Sequence, residues 1–317
     1  MTKPTKIAIT IGDPAGIGPE ITLKALLSDE IKQICKPLLI GDRSVIEDAI
    51  ESMGIPFDLE TIEMLSIGAI KDRNFAKCKA TAESGRACVS YIKKAVELAS
   101  FKIVDAVVTA PITKESLKMA GFAWRGHTEM LAELTGTKDY AMMLCGGPLR
   151  VILVTIHTAL KNVPQMISKE RVLKTIILAK KACNMMGIEN HRIAVAGLNP
   201  HAGEAGIFGD EEIEIITPAV QEGLAMGISV SGPYPPDALF HRAYNGEFDI
   251  IVCMYHDQGL IPLKMIAFDK GVNITVGLPF VRTSPDHGTA YDIAWKGIAS
   301  PSSMIEAIKM AAHLKRQ

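Results

Sequence analysis

The stretch KIAITIGDPAGIGPEITLKALL, residues 6–27, decides the fold class of this chain. It opens with a β-branched apolar run at residues 6–11 and continues into the Gly/Pro-rich turn GDPAGIGPE at residues 12–20. It ends in an apolar pattern of helical period at residues 21–27. Pro19 suits a first helical turn, where an N–H group has no partner inside the helix. The pattern therefore predicts a strand, a tight turn and a helix.

The turn itself has two interpretations. Its glycines are spaced G-x-x-x-G-x-G rather than G-x-G-x-x-G, which makes it a weak match to the phosphate loop of a Rossmann fold. The alternative is a tight strand-to-helix connection that needs small residues. The carboxylates of Asp13 and Glu20 are equally suited to cap the helix that follows.

Outward from this stretch, β-rich runs alternate with longer segments of helical period. The β-rich runs lie at residues 37–41, 104–111, 150–156 and 248–255, and the longest helical patterns at residues 81–100 and 168–186. Strands separated by helical segments of this length pair in parallel through crossovers. We therefore predict an α/β fold.

Composition excludes several classes of function. With 34 basic and 35 acidic residues in 317, the net charge of −1 gives no electrostatic footprint for nucleic acid. Six cysteines without a CxxC pair indicate a reducing compartment. The first apolar run is too short for a signal peptide, and no run approaches about 18 apolar residues, so we expect a cytoplasmic protein without membrane contact.

Three histidines follow three predicted strands. His157 comes after the run at residues 150–156, His201 shortly after the run at residues 193–197, and His256 after the run at residues 248–255. Ligands bind at the carboxyl edge of parallel α/β sheets, so these side chains are candidates to converge. Three neutral imidazoles are a ligand set for zinc and related divalent metals.

The remaining histidines differ in the positions that they occupy. His191, His241 and His313 lack a position after a strand and are interpreted as surface residues. His127 and Thr128 follow a glycine and precede a helical pattern, where they would cap the helix, face an anion, or both.

Lys264, Asn273 and Arg282 form a candidate phosphate clamp, made of a point charge, a neutral donor and a planar fork. Their spacing matches no single helix or strand face, so the segment between His256 and His287 is expected to be an irregular, folded connection.

The segment HGTAYDIAWKGIASP, residues 287–301, is a candidate nucleotide site. It places glycines and Asp292 near an expected helix start, where the carboxylate can bond a ribose hydroxyl and backbone N–H groups can approach phosphates. A capped surface helix is the alternative.

Long blocks of the chain resemble the 4-hydroxythreonine-4-phosphate dehydrogenase family, nearly from end to end. The blocks are GDPAGIGPE (12–20), TAPITKE (109–115), GHTEML (126–131), HTAL (157–160), NPHAGE (199–204), MYHDQG (254–259), GVNIT (271–275) and DHGTA (286–290). The segment at residues 287–301 is also similar to the adenosine-binding segment of isopropylmalate dehydrogenases.

The resemblance implies a two-domain α/β/α fold of the isocitrate/isopropylmalate dehydrogenase type, with the active site in the interdomain cleft. It places a nucleotide-side domain at residues 1–125 plus 265–317 and a metal-binding, dimerising domain at residues 126–264. It also implies the following ligands. A divalent metal (Zn, Mg or Co) would bind His157, His201 and His256, with ligands from both subunits of a homodimer. The phosphorylated substrate would contact His127, Thr128, Lys264, Asn273 and Arg282. NAD would lie against His287, Gly288, Thr289 and Asp292.

Within the family, three segments look closer to the branch that acts on 4-phospho-D-threonate or 4-phospho-D-erythronate than to the vitamin B6 branch. These segments are GPYPPDALF (232–240), YNGEFDI (244–250) and DQGLIPLK (257–264). The implied reaction is oxidation of a secondary alcohol, followed by loss of CO2 to give dihydroxyacetone phosphate. Asp257 and Asp237 are the candidate general bases.

Three alternatives remain open on sequence alone. The first is the pyridoxal phosphate (vitamin B6) biosynthetic activity on 4-hydroxythreonine 4-phosphate. The second is a zinc-dependent hydrolase, which would use the same histidines without NAD, and the third is a non-catalytic metabolite-binding protein. The resemblance favours the dehydrogenase.

Overall fold

The computed structural model describes residues 4–315, which divide into two compact units. The first unit comprises residues 4–138 together with residues 278–315, and the second comprises residues 139–277. Both junctions fall thirteen residues later than the expected boundaries, at 138 instead of 125 and at 277 instead of 264. The reason is pairing: the helix at 127–135 packs on the helix at 82–100, and the strand at 272–276 pairs with the strand at 141–146.

Eleven strands and twelve α-helices build the described residues. The strands are β1 Thr5–Thr10, β2 Cys35–Gly41, β3 Glu63–Ser66, β4 Ala106–Thr109, β5 Ala141–Gly146, β6 Leu149–Leu153, β7 Ile193–Ala196, β8 Val230–Tyr234, β9 Ile250–Cys253, β10 Val272–Val276 and β11 Val281–Pro285. The helices are α1 Gly18–Leu26, α2 Asp29–Ile34, α3 Arg43–Met53, α4 Ala82–Ser100, α5 Lys114–Met119, α6 His127–Thr135, α7 Val163–Met166, α8 Lys169–Met185, α9 Thr217–Ala225, α10 Pro236–Tyr244, α11 His256–Ala267 and α12 Ser302–His313.

The first unit is built on a parallel sheet. Its strands follow the order β3-β2-β1-β4-β11, and each neighbouring pair is parallel. Helices α4 and α12 pack against β1 and β4. Every residue of β4 and β11 is buried, so both faces of these strands are covered, as in a three-layer α/β/α arrangement. The predicted α/β class is confirmed.

The second unit has a mixed sheet. Its strands follow the order β10-β5-β6-β9-β7-β8; the pairs β10–β5 and β5–β6 are antiparallel, and the remaining pairs are parallel. A core of buried side chains from β5, β6, β7 and β9 packs against α10 and α11. The members of that core include Leu144, Leu153, Ile251 and Leu263.

The predicted strand, turn and helix at residues 6–27 are confirmed as β1 and α1, and close packing explains the glycines between them. A Cβ on Gly18 would lie 2.0 Å from the carbonyl oxygen of Ile11, and one on Gly16 would lie 2.9 Å from the side chain of Thr289. The turn is therefore the tight connection that needs small residues. Neither candidate carboxylate caps α1, because Ile17 is the N-cap and makes no side-chain hydrogen bond there.

Two expectations about the C-terminal third are wrong. The connection after His256 is regular, because it consists of α11, β10 and β11. The segment at residues 287–301 is a series of turns, and no helix begins before Ser302. Left-handed backbone at Ala290 and Trp295, with φ of 41° and 61°, interrupts a helix at both positions.

The interpretation of His191 as a surface residue is also wrong, because its side chain is only 7% exposed. His241 and His313 are exposed as predicted. All six cysteines are free, and five of them are buried, with Cys78 as the exposed exception. Among residues 4–315, no helix has the length and apolar character needed to cross a membrane.

Candidate active site

The three candidate metal-binding histidines lie at the carboxyl edge of the second unit's sheet. His157, His201 and His256 follow β6, β7 and β9, and β9 lies between the other two strands and is parallel to both. Parallel neighbours end at the same edge, so the loops that carry these residues emerge on one side of the sheet.

His157 and His256 are brought together. Their ring centroids are 5.8 Å apart, and both line a surface pocket of about 570 Å³. The Nδ1 atom of His256 lies 2.7 Å from a carboxylate oxygen of Asp257, which also lines that pocket. This hydrogen bond makes Nδ1 the protonated nitrogen and leaves the Nε2 lone pair for a cation, the arrangement typical of a metal-binding histidine.

His201 does not join the other two histidines to complete a site in one chain. It is exposed, its ring centroid lies 6.2 Å from that of Phe208, and it stands at the start of a turn at residues 201–205 whose backbone is left-handed throughout. Within residues 4–315 of a single chain, no three His, Cys, Asp or Glu side chains are grouped closely enough to hold a metal ion. The chain thus provides one histidine pair and a third histidine outside it.

The two candidate bases differ in their surroundings. Asp257 is exposed at the start of α11 and is engaged with His256. Asp237 is exposed in the first turn of α10, directly after β8. Since β8 is parallel to β7, Asp237 also belongs to the carboxyl edge of this sheet.

Two members of the candidate phosphate clamp, Lys264 and Asn273, belong to the second unit. Lys264 is half-buried on α11, eight residues after His256, which corresponds to about 12 Å along a helix axis. Asn273 is half-buried on β10 opposite Leu144 of β5. Its carboxamide oxygen is buried and has no hydrogen-bond partner among the described residues, so a water molecule or a ligand group that donates a hydrogen bond would satisfy it.

The third member, Arg282, lies in the first unit with His127. Arg282 is 1% exposed on β11, and its Nη2 atom donates to the Thr109 hydroxyl over 2.6 Å. His127 opens α6, with Gly126 as the N-cap, so Thr128 does not cap the helix and is instead buried in its first turn. The imidazole Nε2 of His127 is buried without a hydrogen-bond partner among the described residues.

Burial controls the charge of this pair. Desolvation holds the pKa of His127 well below its usual value, and the nearby positive charge of Arg282 lowers it further. Burial also lowers the pKa of Arg282 to about 9. A guanidinium nevertheless tends to keep its proton, so its charge is stabilised by any anion that reaches it. The pair is therefore suited to bind a dianionic group, with the neutral imidazole as a hydrogen-bonding partner.

The candidate nucleotide segment is held by the N-terminal turn, within the first unit. The Ile17 N–H donates to the Thr289 carbonyl over 3.0 Å, and the Trp295 indole N–H donates to the Pro14 carbonyl over 3.0 Å. Gly288 and Asp292 remain exposed, and a Cβ on Gly288 would meet nothing within 4 Å. The segment thus combines a fixed backbone with open space beside Gly288.

A buried polar cluster that the sequence did not reveal joins the same two segments. Asp13 is fully buried; its Oδ2 atom accepts from Tyr291 over 2.7 Å and from Ser116 over 3.0 Å, and its Oδ1 atom accepts from the Ala15 N–H over 2.9 Å. Burial raises the pKa of Asp13, while the hydrogen bond from Tyr291 is the largest opposing effect. The only sequence signal was an Asp inside an apolar turn.

Glu212 is a second residue that sequence reasoning missed. It stands in the acidic run DEEIE at residues 210–214, which reads as the exposed start of a helix. In the structure Glu212 is 3% exposed, and its carboxylate accepts the backbone N–H groups of Leu198 and Asn199 over 2.7 and 2.8 Å.

Comparison with known proteins identifies the family. Residues 33–311 match the family model of the pyridoxal phosphate biosynthetic protein PdxA. A 4-hydroxythreonine-4-phosphate dehydrogenase of Desulforapulum autotrophicum is 48% identical, over 96% of this chain and 94% of that protein. A protein of Oceanobacillus iheyensis named "Putative D-threonate 4-phosphate dehydrogenase" is 45% identical, over 99% of both chains.

Solved structures agree with this assignment. The crystal structure of a 4-hydroxythreonine-4-phosphate dehydrogenase from Klebsiella pneumoniae superimposes with a TM-score of 0.90 at 41% identity, over 99% of both chains. A β-decarboxylating dehydrogenase of Thermococcus kodakarensis shares the fold with a TM-score of 0.50 at 14% identity, over 97% of this chain and 81% of that one. The chain belongs to the PdxA family and is a dehydrogenase that acts on a CH–OH group.

Proposed function

We propose that this protein oxidises and decarboxylates a 4-phosphorylated hydroxy acid, with NAD as the electron acceptor and a divalent metal as cofactor. The proposed substrate is 4-phospho-D-threonate or 4-phospho-D-erythronate. Oxidation of the C3 alcohol transfers a hydride to NAD and a proton to a base, giving a β-keto acid. The bond to the carboxylate then breaks, CO2 leaves, and protonation of C2 gives dihydroxyacetone phosphate.

The observation that carries the proposal is the arrangement of His157, His256 and Asp257. Two adjacent imidazoles, one of them oriented by a carboxylate, fit a divalent cation, and His201 would supply the third imidazole. When bound, such a cation supplies Lewis-acid polarisation of the substrate alcohol and stabilises negative charge that develops during decarboxylation.

The substrate phosphate would bind the buried cationic group. Arg282 offers a planar fork whose charge has been removed from water, and His127 offers a neutral imidazole beside it. Lys264 and Asn273, in the second unit, are proposed as further phosphate contacts, Lys264 through its ammonium charge and Asn273 through its side-chain N–H groups. Fixing the phosphate end of the substrate limits the positions of the reacting carbon, and this kind of positioning contributes several kcal/mol to catalysis.

NAD would lie against the turn that contains His287, Gly288, Thr289 and Asp292. The open space beside Gly288 allows phosphates to approach the backbone, and the exposed Asp292 carboxylate can accept hydrogen bonds from ribose hydroxyls. The hydrogen bonds from Ile17 to Thr289 and from Trp295 to Pro14 keep this backbone in place without a ligand.

We assign different tasks to the two carboxylates at the sheet edge. Asp257 orients His256, because its Oδ1 atom is already bonded to Nδ1. Asp237, at the start of α10, is the proposed general base for the alcohol proton. Asp257→Asn should therefore lower metal affinity about 10- to 100-fold. Asp237→Asn should lower kcat and leave metal affinity unchanged, and the reverse pattern would exchange the two roles.

We also propose that the protein is a homodimer formed through the second unit. Twelve of the sixteen large apolar side chains exposed among the described residues belong to this unit. Two of them, Ile261 and Met265, are four residues apart on α11, the helix that begins with His256, and therefore lie on the same side of it, and Phe268 follows the end of that helix. A second copy covering this surface would bring another His201 to the site. Met265→Glu should yield monomers in sedimentation experiments, with weaker metal binding; a dimer of unchanged affinity would refute this arrangement.

The substrate test compares NAD reduction with 4-phospho-D-threonate, 4-phospho-D-erythronate and 4-hydroxy-L-threonine 4-phosphate. We expect the two phosphorylated sugar acids to have the higher kcat/KM and to yield dihydroxyacetone phosphate. His256→Ala should abolish turnover, whereas His241→Ala, which alters an exposed histidine on α10, should not. Intact turnover in His256→Ala would refute the metal-dependent mechanism.

The alternative substrate is 4-hydroxythreonine 4-phosphate, on which the named relative from Desulforapulum autotrophicum acts. Relatives of both kinds match this chain to a similar degree, at 48% and 45% identity, so the substrate assay decides between them. A clear preference for the amino acid in the same assay would assign this protein to pyridoxal phosphate biosynthesis.

A further inference from the structure

The turn that carries His201 has an unusual backbone. Residues 201–205 all have positive φ, and four of the five are not glycine: His201 (φ 54°), Ala202 (54°), Glu204 (42°) and Ala205 (55°). Each non-glycine residue in this conformation costs about 1–2 kcal/mol relative to right-handed backbone. Consecutive residues of this kind persist only when the surrounding structure holds them in place.

One buried carboxylate holds the base of this turn. Oε1 of Glu212 accepts from the N–H groups of Leu198 and Asn199, over 2.7 and 2.8 Å, and Oε2 accepts from the Asn199 side-chain amide over 2.9 Å. Those donors lie three and two residues before His201, so the carboxylate fixes the point at which the chain enters the turn. Glu212 itself begins a π-helical turn at Glu212–Ile216, a rare local structure that is frequent at functional sites.

The glycines around the turn leave room for this carboxylate. A Cβ on Gly203 would lie 2.7 Å from Oε2 of Glu212, and one on Gly197 would lie 3.0 Å from Oε1. Both distances are shorter than an ordinary carbon–oxygen contact. The carboxylate therefore lies inside the turn, in contact with both its entry at Gly197 and its middle at Gly203.

From these contacts we infer that Glu212 is a positioning residue for His201, which it holds in the orientation needed to bind a divalent cation. The inference rests on the proposed metal-binding role of His201. Glu212 acts through backbone hydrogen bonds and does not itself touch the cation. A carboxylate is required because both of its oxygens accept hydrogen bonds, whereas a glutamine would place an amide donor against the Asn199 amide.

The test measures Co²⁺ binding by the full-length, metal-free protein, from the visible absorption of the bound ion. We expect Glu212→Ala to weaken Co²⁺ binding about 10- to 100-fold and to alter the absorption bands in the same way as His201→Ala. Glu212→Gln, which keeps one acceptor, should fall between the wild type and Glu212→Ala. Glu214→Gln changes an exposed acid two residues away and should match the wild type.

Three results would overturn the inference, and they differ in their meaning. Wild-type affinity and spectrum in both Glu212 variants, with weakened binding in His201→Ala, would refute positioning by Glu212 and leave the proposed metal site intact. Unchanged binding in His201→Ala would refute the proposed metal site and the inference together. If Glu212→Ala fails to fold, Co²⁺ binding by Glu212→Gln decides whether Glu212 positions His201. The double variant His201→Ala, Glu212→Gln should bind no more weakly than His201→Ala alone; additive losses count against the inference.

Discussion

Replacing Tyr291 by Phe tests whether the buried cluster around Asp13 holds the candidate nucleotide segment in place. The substitution removes only the hydroxyl, which donates to Asp13 Oδ2 over 2.7 Å and lies 3.2 Å from the Ser116 hydroxyl. Asp13 would keep its bonds from Ser116 and from the Ala15 N–H. The aromatic ring and its packing are unchanged, so the variant isolates the hydrogen bond.

The expected loss follows from the charge and burial of the acceptor. Asp13 is fully buried, and a hydrogen bond to a charged group contributes about 1.5–3 kcal/mol to stability. Because two of its donors remain, we expect the free energy of unfolding at neutral pH to fall by about 2 kcal/mol.

The predicted stability difference between Tyr291→Phe and the wild type changes with pH in a defined direction. Burial raises the pKa of Asp13 in the folded protein above its ordinary value, and the Tyr291 hydrogen bond opposes that rise. The substitution therefore raises this pKa further. A carboxyl whose pKa is higher in the folded state destabilises the fold when ionised, and this penalty is lost as the pH falls through the folded pKa. The difference between variant and wild type should thus shrink on acidification.

The assay is urea denaturation of the wild type, Tyr291→Phe and Tyr244→Phe at several pH values. Tyr244 is 49% exposed at the end of α10 and serves as the matched control, with an expected change below about 0.5 kcal/mol. Under the proposed function, Tyr291→Phe should also raise the KM for NAD more than it lowers kcat. Equal stability of Tyr291→Phe and the control at neutral pH would refute the role assigned to the cluster.

Three further predictions concern other contacts within the first unit. His127→Asn should make the free energy of unfolding less sensitive to acid. In the folded wild type the pKa of His127 lies well below 6.5, so the free energy of unfolding should fall by up to about 1.4 kcal/mol per pH unit as the pH drops below 6.5. Urea titrations should show a smaller fall in the variant. Gly18→Ala should lower the free energy of unfolding by about 3 kcal/mol in thermal or urea unfolding, because its Cβ would lie 2.0 Å from the Ile11 carbonyl oxygen. Gly288→Ala should leave stability unchanged, since a Cβ there meets nothing within 4 Å. Equal effects of the two substitutions would contradict the packing argument. Arg282→Lys keeps the positive charge but loses the planar guanidinium and its hydrogen bond to Thr109. We therefore expect the KM for the phosphorylated substrate to rise at least about tenfold. An unchanged KM would show that Arg282 does not bind the phosphate.

Local patterns were sufficient wherever the structure depends on neighbours in sequence. The segment at residues 6–27 forms the predicted strand, turn and helix. Thr81 and Ser168 cap the two longest predicted helices with their side chains, as their residue types favour. The positions of His157 and His256 after parallel strands were likewise enough to predict that they approach each other.

Long-range packing decided the features that local patterns missed. His191 is buried although nothing in its flanking sequence indicates it. The sequence predicts a helix start in the segment at residues 287–301, but hydrogen bonds from Ile17 to Thr289 and from Trp295 to Pro14 hold it as turns. Each such contact joins residues more than 270 positions apart, so no window of sequence contains both partners.

By itself, the sequence indicated the α/β class, the family and the candidate side chains for binding a metal, a phosphate and a nucleotide. The fold class follows from periodicity and the candidate side chains from residue types and their positions after strands, whereas the family follows from the resemblance of long sequence blocks. The tertiary structure decided that Asp13 and Glu212 are buried acceptors, that His127 and Arg282 share one desolvated environment, and that a single chain pairs His157 with His256 without including His201. The physical reason is that burial and hydrogen-bond partners depend on which distant segments pack together.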